Sequence, residues 1–152
     1  MQEIERKFLI DLARWKATKT SVKIEQGYLS VDPDRVVRVR VAGQKSYLTI
    51  KGKTTGISRI EMEYEIPLNE ANELLKMCLD VPIKKTRFFD YINGQTWEID
   101  VFEGANEGLV LAEIELESED QQVDLPDWIL SEVSGDYRYF NSWLSKHPYS
   151  TW

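Results

Sequence analysis

Charged residues alternate at the beginning of the chain, in the segment Glu3-Ile4-Glu5-Arg6-Lys7. In a β-strand successive side chains point to opposite faces, so Glu3, Glu5 and Lys7 would share one face. Unpaired charges are costly to bury in a dry core. Carboxylate oxygens bind hard divalent cations such as Mg²⁺, whereas a lysine binds phosphate as a point charge. The segment therefore predicts either a site for a cation and an anionic ligand or a solvated strand face with a Lys–Glu pair.

The composition is typical of a single globular domain, which we expect to span residues 1–152. Hydrophobic residues make up 42% of the 152 positions and charged residues 30%, enough for a sizeable core. The formal net charge of −7 argues against general nucleic-acid binding, which depends on basic patches. A local basic cluster could still bind a small anionic substrate.

Cysteine and histidine are too scarce for an intramolecular disulfide or a structural zinc site, since Cys78 and His147 are the only examples. No apolar run approaches the ~20 residues that a membrane-spanning helix needs, and no signal peptide is recognisable. We therefore expect a cytoplasmic protein with no membrane or nucleic-acid partner.

Alternating polar and apolar residues predict eight strands. Their expected positions are the N-terminal segment, Lys23–Val31, Arg35–Val41, Tyr47–Gly52, Ile57–Ile66, Ile83–Ile92, Gln95–Glu103 and Leu109–Glu117. The dipeptide Asn93-Gly94 is the strongest hairpin signal in the chain. Apolar residues at helical spacing predict one helix over Glu70–Leu79 and a last helix over roughly Tyr137–Lys146.

One face of nearly every predicted strand carries almost only charged residues. After the first strand, this face holds Arg38, Arg40, Lys51, Arg59, Glu61, Glu63, Glu65, Lys85, Arg87, Glu98, Asp100, Glu113 and Glu115. A sandwich with its polar faces in water would mix such charges with Ser, Thr, Asn and Gln. About eight antiparallel strands can instead close into a barrel, where an inward charged lining needs a ligand or water to solvate it. We therefore predict a β-rich α+β fold: a closed eight-stranded antiparallel barrel with outer helices and a C-terminal helix.

The charges of this lining indicate the class of ligand. Arginines and lysines of the third, fourth and sixth strands would bind a polyanion, and glutamates of the first and eighth strands would bind cations. Phosphate that is bridged by a metal and held by Arg and Lys is the usual arrangement of phosphoryl transfer.

With these segments in this order, the chain resembles the CYTH superfamily, also called the triphosphate tunnel metalloenzymes. The matching segments are Glu3-x-Glu5-x-Lys7, Arg38-Val39-Arg40, Leu48–Gly52, Arg59–Glu65, Lys85-Thr86-Arg87, Ala112–Leu116 and the C-terminal run Pro126–Asn141. One departure is Ser134, where the C-terminal pattern has threonine. The short first motif is weak alone, but the ordered set covers nearly the whole chain.

The resemblance implies a tunnel that binds a small-molecule triphosphate together with Mg²⁺ or Mn²⁺. The activity it favours is hydrolysis of inorganic tripolyphosphate to pyrophosphate and phosphate. The alternatives are a class IV adenylate cyclase, a thiamine or noncyclising nucleoside triphosphatase on the same fold, and a non-catalytic polyphosphate-binding module. The preferred substrate, the metal and the presence of a homodimer are left open.

The resemblance also assigns roles to individual residues. The expected metal ligands are Glu3, Glu5, Glu63, Glu113 and Glu115. The expected substrate-binding residues are Lys7, Arg38, Arg40, Lys51, Lys85 and Arg87. The expected catalytic residues are Glu5, Lys7, Tyr28, Lys85 and Glu115. For Glu61, Glu63, Glu98 and Asp100, the sequence leaves open whether they bind metal or pair with Arg and Lys.

Overall fold

Eight antiparallel strands form a closed barrel in the computed structural model, which describes residues 1–152. The strands are β1 Gln2–Ile10, β2 Ser21–Ser30, β3 Arg35–Ala42, β4 Lys45–Gly52, β5 Ser58–Glu65, β6 Ile83–Ile92, β7 Gln95–Phe102 and β8 Val110–Glu115. Their order is β5-β4-β3-β2-β6-β7-β8-β1, and pairing of β1 with β5 closes the ring. The predicted barrel is confirmed.

Apolar side chains on the outside of β1, β7 and β8 form the larger hydrophobic core. Its members are Ile4, Phe8, Ile10, Trp15, Trp97, Ile99, Ala112, Ile114, Leu116 and Trp128. Trp97 packs edge-to-face against Phe8 and Trp128, with both ring centroids 5.7 Å away. Because side chains alternate along a strand, burial of this outer face directs the intervening charged residues into the barrel.

A second apolar cluster fills one end of the barrel interior. It comprises Ile83, Phe102, Leu109, Leu111, Val133 and Leu144. Ile83 lies two residues before Lys85, and Phe102 two residues after Asp100, so both continue the inward face. The C-terminal segment supplies Leu144, which is completely buried. The interior is therefore apolar at this sealed end and charged over the rest of its length.

The helix α1 (Leu68–Lys76) packs outside the barrel against β2, β3 and β4. Just after it, Cys78 lies so close to Gly27 of β2 that a Cβ on the glycine would come within 2.4 Å of the cysteine Sγ. The glycine therefore permits the close approach of this segment to the barrel wall. No helix of the protein is long and apolar enough to cross a membrane.

The C-terminal region differs from the prediction of one long helix. Tyr137–Tyr139 is a 3₁₀ turn, and Phe140 has extended backbone with φ −73° and ψ 133°. The helix α2 then covers only Asn141–Leu144. The helical pattern is overridden because this segment bends into the barrel and bonds to its wall there. A short strand that the sequence pattern did not predict, β9 (Ile129–Glu132), pairs with the C-terminal end of β1.

Shortening the side chain of Leu144, which helps to seal the apolar end of the barrel, should destabilise the protein. For Leu144→Ala we expect the free energy of unfolding to fall by about 2–5 kcal/mol, because a fully buried leucine leaves a cavity when it is truncated. Denaturant unfolding measures this change. The matched control is Leu130→Ala, at a leucine that is 54% exposed, for which a change within about 0.5 kcal/mol is expected. Equal small effects of both substitutions would show that Leu144 does not seal the barrel.

Candidate active site

The charged part of the barrel encloses a cavity of about 220 Å³. Seven basic residues line it: Lys7, Arg38, Arg40, Lys51, Arg59, Lys85 and Arg87. Seven glutamates line it as well: Glu3, Glu5, Glu61, Glu63, Glu98, Glu113 and Glu115. Because the two sets are equal in number, the position of each charge decides what the cavity can bind.

The basic residue Lys85 lies at the floor of the cavity, next to the sealed end. It is 1% exposed, and its ammonium lies 5.4 Å from the ring centroid of Phe102 in the seal. At the opposite end Glu115 and Glu63 are exposed to solvent. The cavity therefore has a buried floor and an open mouth bordered by carboxylates.

A buried carboxylate, Asp100, holds two basic residues of the floor. Its oxygens lie 2.7 Å from the Lys85 ammonium and 2.7 and 2.9 Å from the Arg87 guanidinium. Burial alone would raise the pKa of Asp100, but the charges of Arg87 and Lys85 outweigh it and hold the pKa below its usual range. Burial also lowers the pKa of Lys85, to about 7, although Asp100 opposes the shift. Asp100 thus serves the basic residues and does not face the cavity.

Two arginines of β3 remain less compensated. The Arg40 guanidinium forms no ion pair, and its Nε donates to the amide oxygen of Gln26 at 2.9 Å. Burial lowers the pKa of Arg40, and the neighbouring charges of Arg38 and Arg87 lower it further. Arg38 reaches Glu63 at 3.5 Å, but its buried Nε has no hydrogen-bond partner. An anionic ligand in the cavity would supply the missing acceptors.

The remaining lysines are held by carboxylates of the wall. The Lys51 ammonium lies 2.9 Å from Glu3 and 3.2 Å from Glu61. The Lys7 ammonium lies 3.4 Å from Glu113 and donates to the carbonyl oxygen of Tyr139 at 3.1 Å. These pairs neutralise much of the wall and fix its lysines in place.

Among the glutamates that line the cavity, only Glu5 and Glu115 form no ion pair. They lie directly opposite each other on β1 and β8. Like charges in this position repel each other. Burial raises the pKa of Glu115, and the neighbouring carboxylates Glu3 and Glu5 raise it further. A cation between these two carboxylates would relieve the repulsion.

The profile of the CYTH domain family matches residues 1–142. The chain belongs to the CYTH family. An inorganic triphosphatase of Acetivibrio thermocellus is 52% identical to this CYTH protein over 149 residues, covering 97% of this chain and 96% of the relative. An inorganic triphosphatase of Nitrosomonas europaea is 36% identical over 149 residues, covering 95% and 97% of the two chains. A crystal structure described as an inorganic triphosphatase superposes with a TM-score of 0.67 at 34% identity, covering 94% of this chain and 93% of its own.

All twelve residues that the sequence assigned to the site line the cavity of this CYTH protein. Their individual roles stay predictions. Of the four acidic residues left open, Glu61, Glu63 and Glu98 also line the cavity. Each of these three contacts a basic residue: Lys51, Arg38 and Arg87, respectively. Asp100 does not line the cavity and instead pairs with Lys85 and Arg87.

Only two of the five predicted metal ligands are free of basic partners. No group of three or more Asp, Glu, His or Cys residues is arranged to ligate an ion. Glu3, Glu63 and Glu113 are engaged by basic residues, which leaves Glu5 and Glu115 as the carboxylates free to accept one. Two carboxylates suit Mg²⁺, which commonly takes one or two from the protein and its other ligands from water and substrate phosphates. The residues present therefore fit such a cation.

Tyr28 lines the cavity in its neutral form. It is 5% exposed, and its hydroxyl accepts a hydrogen bond from the Gln26 amide at 3.4 Å. Burial raises the pKa of Tyr28, against the lowering effect of Arg38 and Arg40. A neutral phenol can donate a hydrogen bond to a ligand but cannot act as a base.

Further residues in or beside this cavity received no role from the sequence, among them Arg59, Gln26, Phe140 and Asn141. Arg59 was placed on the charged face but received no role. Gln26 shares the inward face of β2 with Tyr28, and the alternation of that strand could have identified it. Phe140 and Asn141 enter the cavity only because the C-terminal segment bends into the barrel, and no local sequence pattern indicates that bend.

Replacing Glu115 by glutamine should stabilise the metal-free protein. The folded-state pKa of Glu115 lies above its ordinary value of 4.5, so its contribution to stability is present below that value and lost as pH rises through the folded pKa. We expect Glu115→Gln to raise the unfolding temperature in EDTA at pH 7 and to match wild type near pH 4. The control Glu107→Gln, on an exposed loop, should have no effect at either pH. A lower unfolding temperature for Glu115→Gln at pH 7 would contradict the repulsion inferred between Glu5 and Glu115.

Proposed function

We propose that this protein hydrolyses inorganic tripolyphosphate to pyrophosphate and phosphate with the help of Mg²⁺ or Mn²⁺. The observation that carries the proposal is the separation of uncompensated charge within one cavity. Arg40 has no carboxylate partner on the basic side, and Glu5 and Glu115 have no basic partner on the acidic side. A metal–triphosphate complex carries both charges that this arrangement lacks.

The shape of the cavity supports a compact substrate. Its volume of about 220 Å³ suits a short linear polyanion, and the apolar seal closes its floor. A nucleoside attached to the triphosphate would extend toward the mouth, where Glu63 and Glu115 are exposed. Beside these carboxylates, Met62 and Tyr64 line an open hollow rather than an enclosed apolar pocket for a base. Tripolyphosphate, which needs no such pocket, is therefore favoured over ATP as the substrate.

The basic residues of the chain would perform the electrostatic part of the reaction. Arg40, Arg38 and Lys7 would bind phosphate oxygens and stabilise the negative charge that spreads over them in the transition state. Lys85 would hold the phosphate that reaches the floor, as a protonated donor. Their positions are fixed before substrate binds, which reduces the cost of reorganisation.

The acidic side of the cavity would hold the cation. Glu5 and Glu115 would be its protein ligands, and a bound divalent cation would offset phosphate charge and lower the pKa of an attacking water. Glu3 would act indirectly, because it holds Lys51 and lies 3.6 Å from Arg59. The proposal therefore separates the five predicted metal ligands into two that bind the ion and three that hold basic residues.

A substrate assay tests the proposal directly. We expect release of phosphate from tripolyphosphate with Mg²⁺ or Mn²⁺, a kcat/KM at least about tenfold lower for ATP, and no release in EDTA. Phosphate, pyrophosphate and cyclic AMP should be measured together for tripolyphosphate, ATP and thiamine triphosphate. Cyclic AMP formation would support the cyclase instead. Binding of tripolyphosphate without turnover would support a non-catalytic binding module.

The proposed cation ligands predict a specific kinetic defect. Glu5→Gln keeps the size of the side chain but removes the charge that a hard cation requires. We expect kcat to fall more than about tenfold and the metal concentration for half-maximal activity to rise. The matched control is Glu65→Gln, at the exposed end of β5, which should behave as wild type. Unchanged metal dependence in Glu5→Gln would show that other carboxylates bind the cation.

A further inference from the structure

Two neutral amides connect the basic residues Arg40 and Lys85 across the floor of the cavity. Arg40 Nε donates to Gln26 Oε1 at 2.9 Å, and Gln26 Nε2 donates to Asn141 Oδ1 at 3.0 Å. The same Asn141 oxygen accepts from Lys85 Nζ at 3.0 Å. Gln26 is completely buried on β2, whereas Asn141 begins α2. These three hydrogen bonds form an amide chain, Arg40–Gln26–Asn141–Lys85, which joins three strands of the wall to the C-terminal segment.

The chemistry of its ends fixes the orientation of both amides. The arginine guanidinium and the lysine ammonium can only donate hydrogen bonds, so each must face an amide oxygen. With its oxygen toward Arg40, Gln26 must direct its NH₂ group toward Asn141. Asn141 must then direct its oxygen toward both Gln26 and Lys85. This arrangement is the one observed, and reversing either amide would place two donors against each other.

The amides hold Arg40 without cancelling its charge, and they give Lys85 a neutral acceptor in addition to its ion pair with Asp100. Arg87, by contrast, contacts three carboxylates: Asp100, Glu98 and Glu113. Arg40 has five N–H groups and uses only Nε in the chain, which leaves its two terminal nitrogens for a ligand. Lys85 has three donors, of which Asp100 and Asn141 accept two. The free donors of both residues belong to groups that line the cavity.

The C-terminal segment supplies one part of this connection. It contacts the cavity through Phe140 and Asn141, and through the Tyr139 carbonyl, which accepts from Lys7 at 3.1 Å. Leu144, three residues after Asn141, completes the seal. Seating of Leu144 in the barrel end therefore places the Asn141 oxygen against Lys85.

We propose that Gln26 and Asn141 are positioning residues for tripolyphosphate, which aim Arg40 and Lys85 at the bound phosphates and couple that aim to seating of the C-terminal segment. The inference rests on the proposed function for the identity of the ligand. It assigns no contact between either amide and the reacting atoms.

The first test compares Gln26→Leu, Asn141→Leu and the double variant. Each single substitution should weaken tripolyphosphate binding by roughly tenfold, since one hydrogen bond to a charged group is lost in each. The double variant should bind tripolyphosphate about as well as the single variant with the lower affinity. The two effects should not add, because each substitution interrupts the same series of hydrogen bonds. In turnover, kcat/KM should fall by at least the same factor as binding, because Arg40 is proposed to contact the phosphates in both the bound state and the transition state. Calorimetric titration of tripolyphosphate in EDTA measures binding without hydrolysis, so this test remains valid if wild type binds but does not turn over.

The second test uses Asn141→Asp, which keeps the shape of the side chain if the leucine variants fail to fold. Lys85 is faced by Asp100, Arg87, Arg40 and Glu113. A new carboxylate beside it should raise its pKa and shift the alkaline limb of the pH profile for binding upward by about one unit. At pH 7 the same variant should bind tripolyphosphate more weakly than wild type, because the added charge repels the ligand.

The matched control is Ser145→Ala, in the same segment. Ser145 Oγ donates to the Ser142 carbonyl at 2.8 Å and does not contact the amide chain. Its substitution should leave tripolyphosphate binding within about twofold of wild type. The inference is overturned if Ser145→Ala weakens binding as much as Asn141→Leu, if the two leucine effects add, or if Asn141→Asp leaves the alkaline limb unmoved.

Discussion

Charge enclosed in a barrel must be compensated, and this requirement governs the arrangement of the whole interior. Fourteen charged side chains line one cavity, and a buried unpaired ion is far more costly than a buried pair. Neighbouring strands therefore neutralise most of the lining, as Asp100 does for Lys85 and Arg87. The residues left over are the informative ones. Arg40, Glu5 and Glu115 have no oppositely charged partner in the lining, so a bound ion can balance their charge.

The inward face of the barrel changes character along its axis. Lys85 and Asp100 are charged, while Ile83 and Phe102, each two residues further along the same face, are apolar. One continuous alternation thus builds a hydrophobic seal and a polar cavity from the same strands. The C-terminal segment serves both regions, because Leu144 enters the seal and Asn141 reaches the floor. Stability and ligand binding are consequently linked through a few residues of that segment.

The barrel and the membership of its lining could be predicted because both depend on a period of two residues along each strand. Residues such as Arg38 and Arg40 needed only that period to be placed inward. The partners of each charge could not be predicted, because they depend on register between strands: Glu5 opposes Glu115, and Lys7 opposes Glu113. The backbone path of residues 137–144 also could not be predicted from local sequence patterns. Its helical pattern competes with contacts to Gln26 and Lys85, which lie more than fifty residues away in sequence.

The seal around Leu144 gives the barrel the topology of a cup rather than of a pipe. A polymer cannot be threaded along the axis of a cup, so a long polyphosphate would be engaged by its terminus while the remainder trails into solvent. Such end-on engagement makes chain ends, rather than internal linkages, the quantity that sets the rate. At equal phosphate content, a preparation of short chains would therefore be consumed faster than one of long chains.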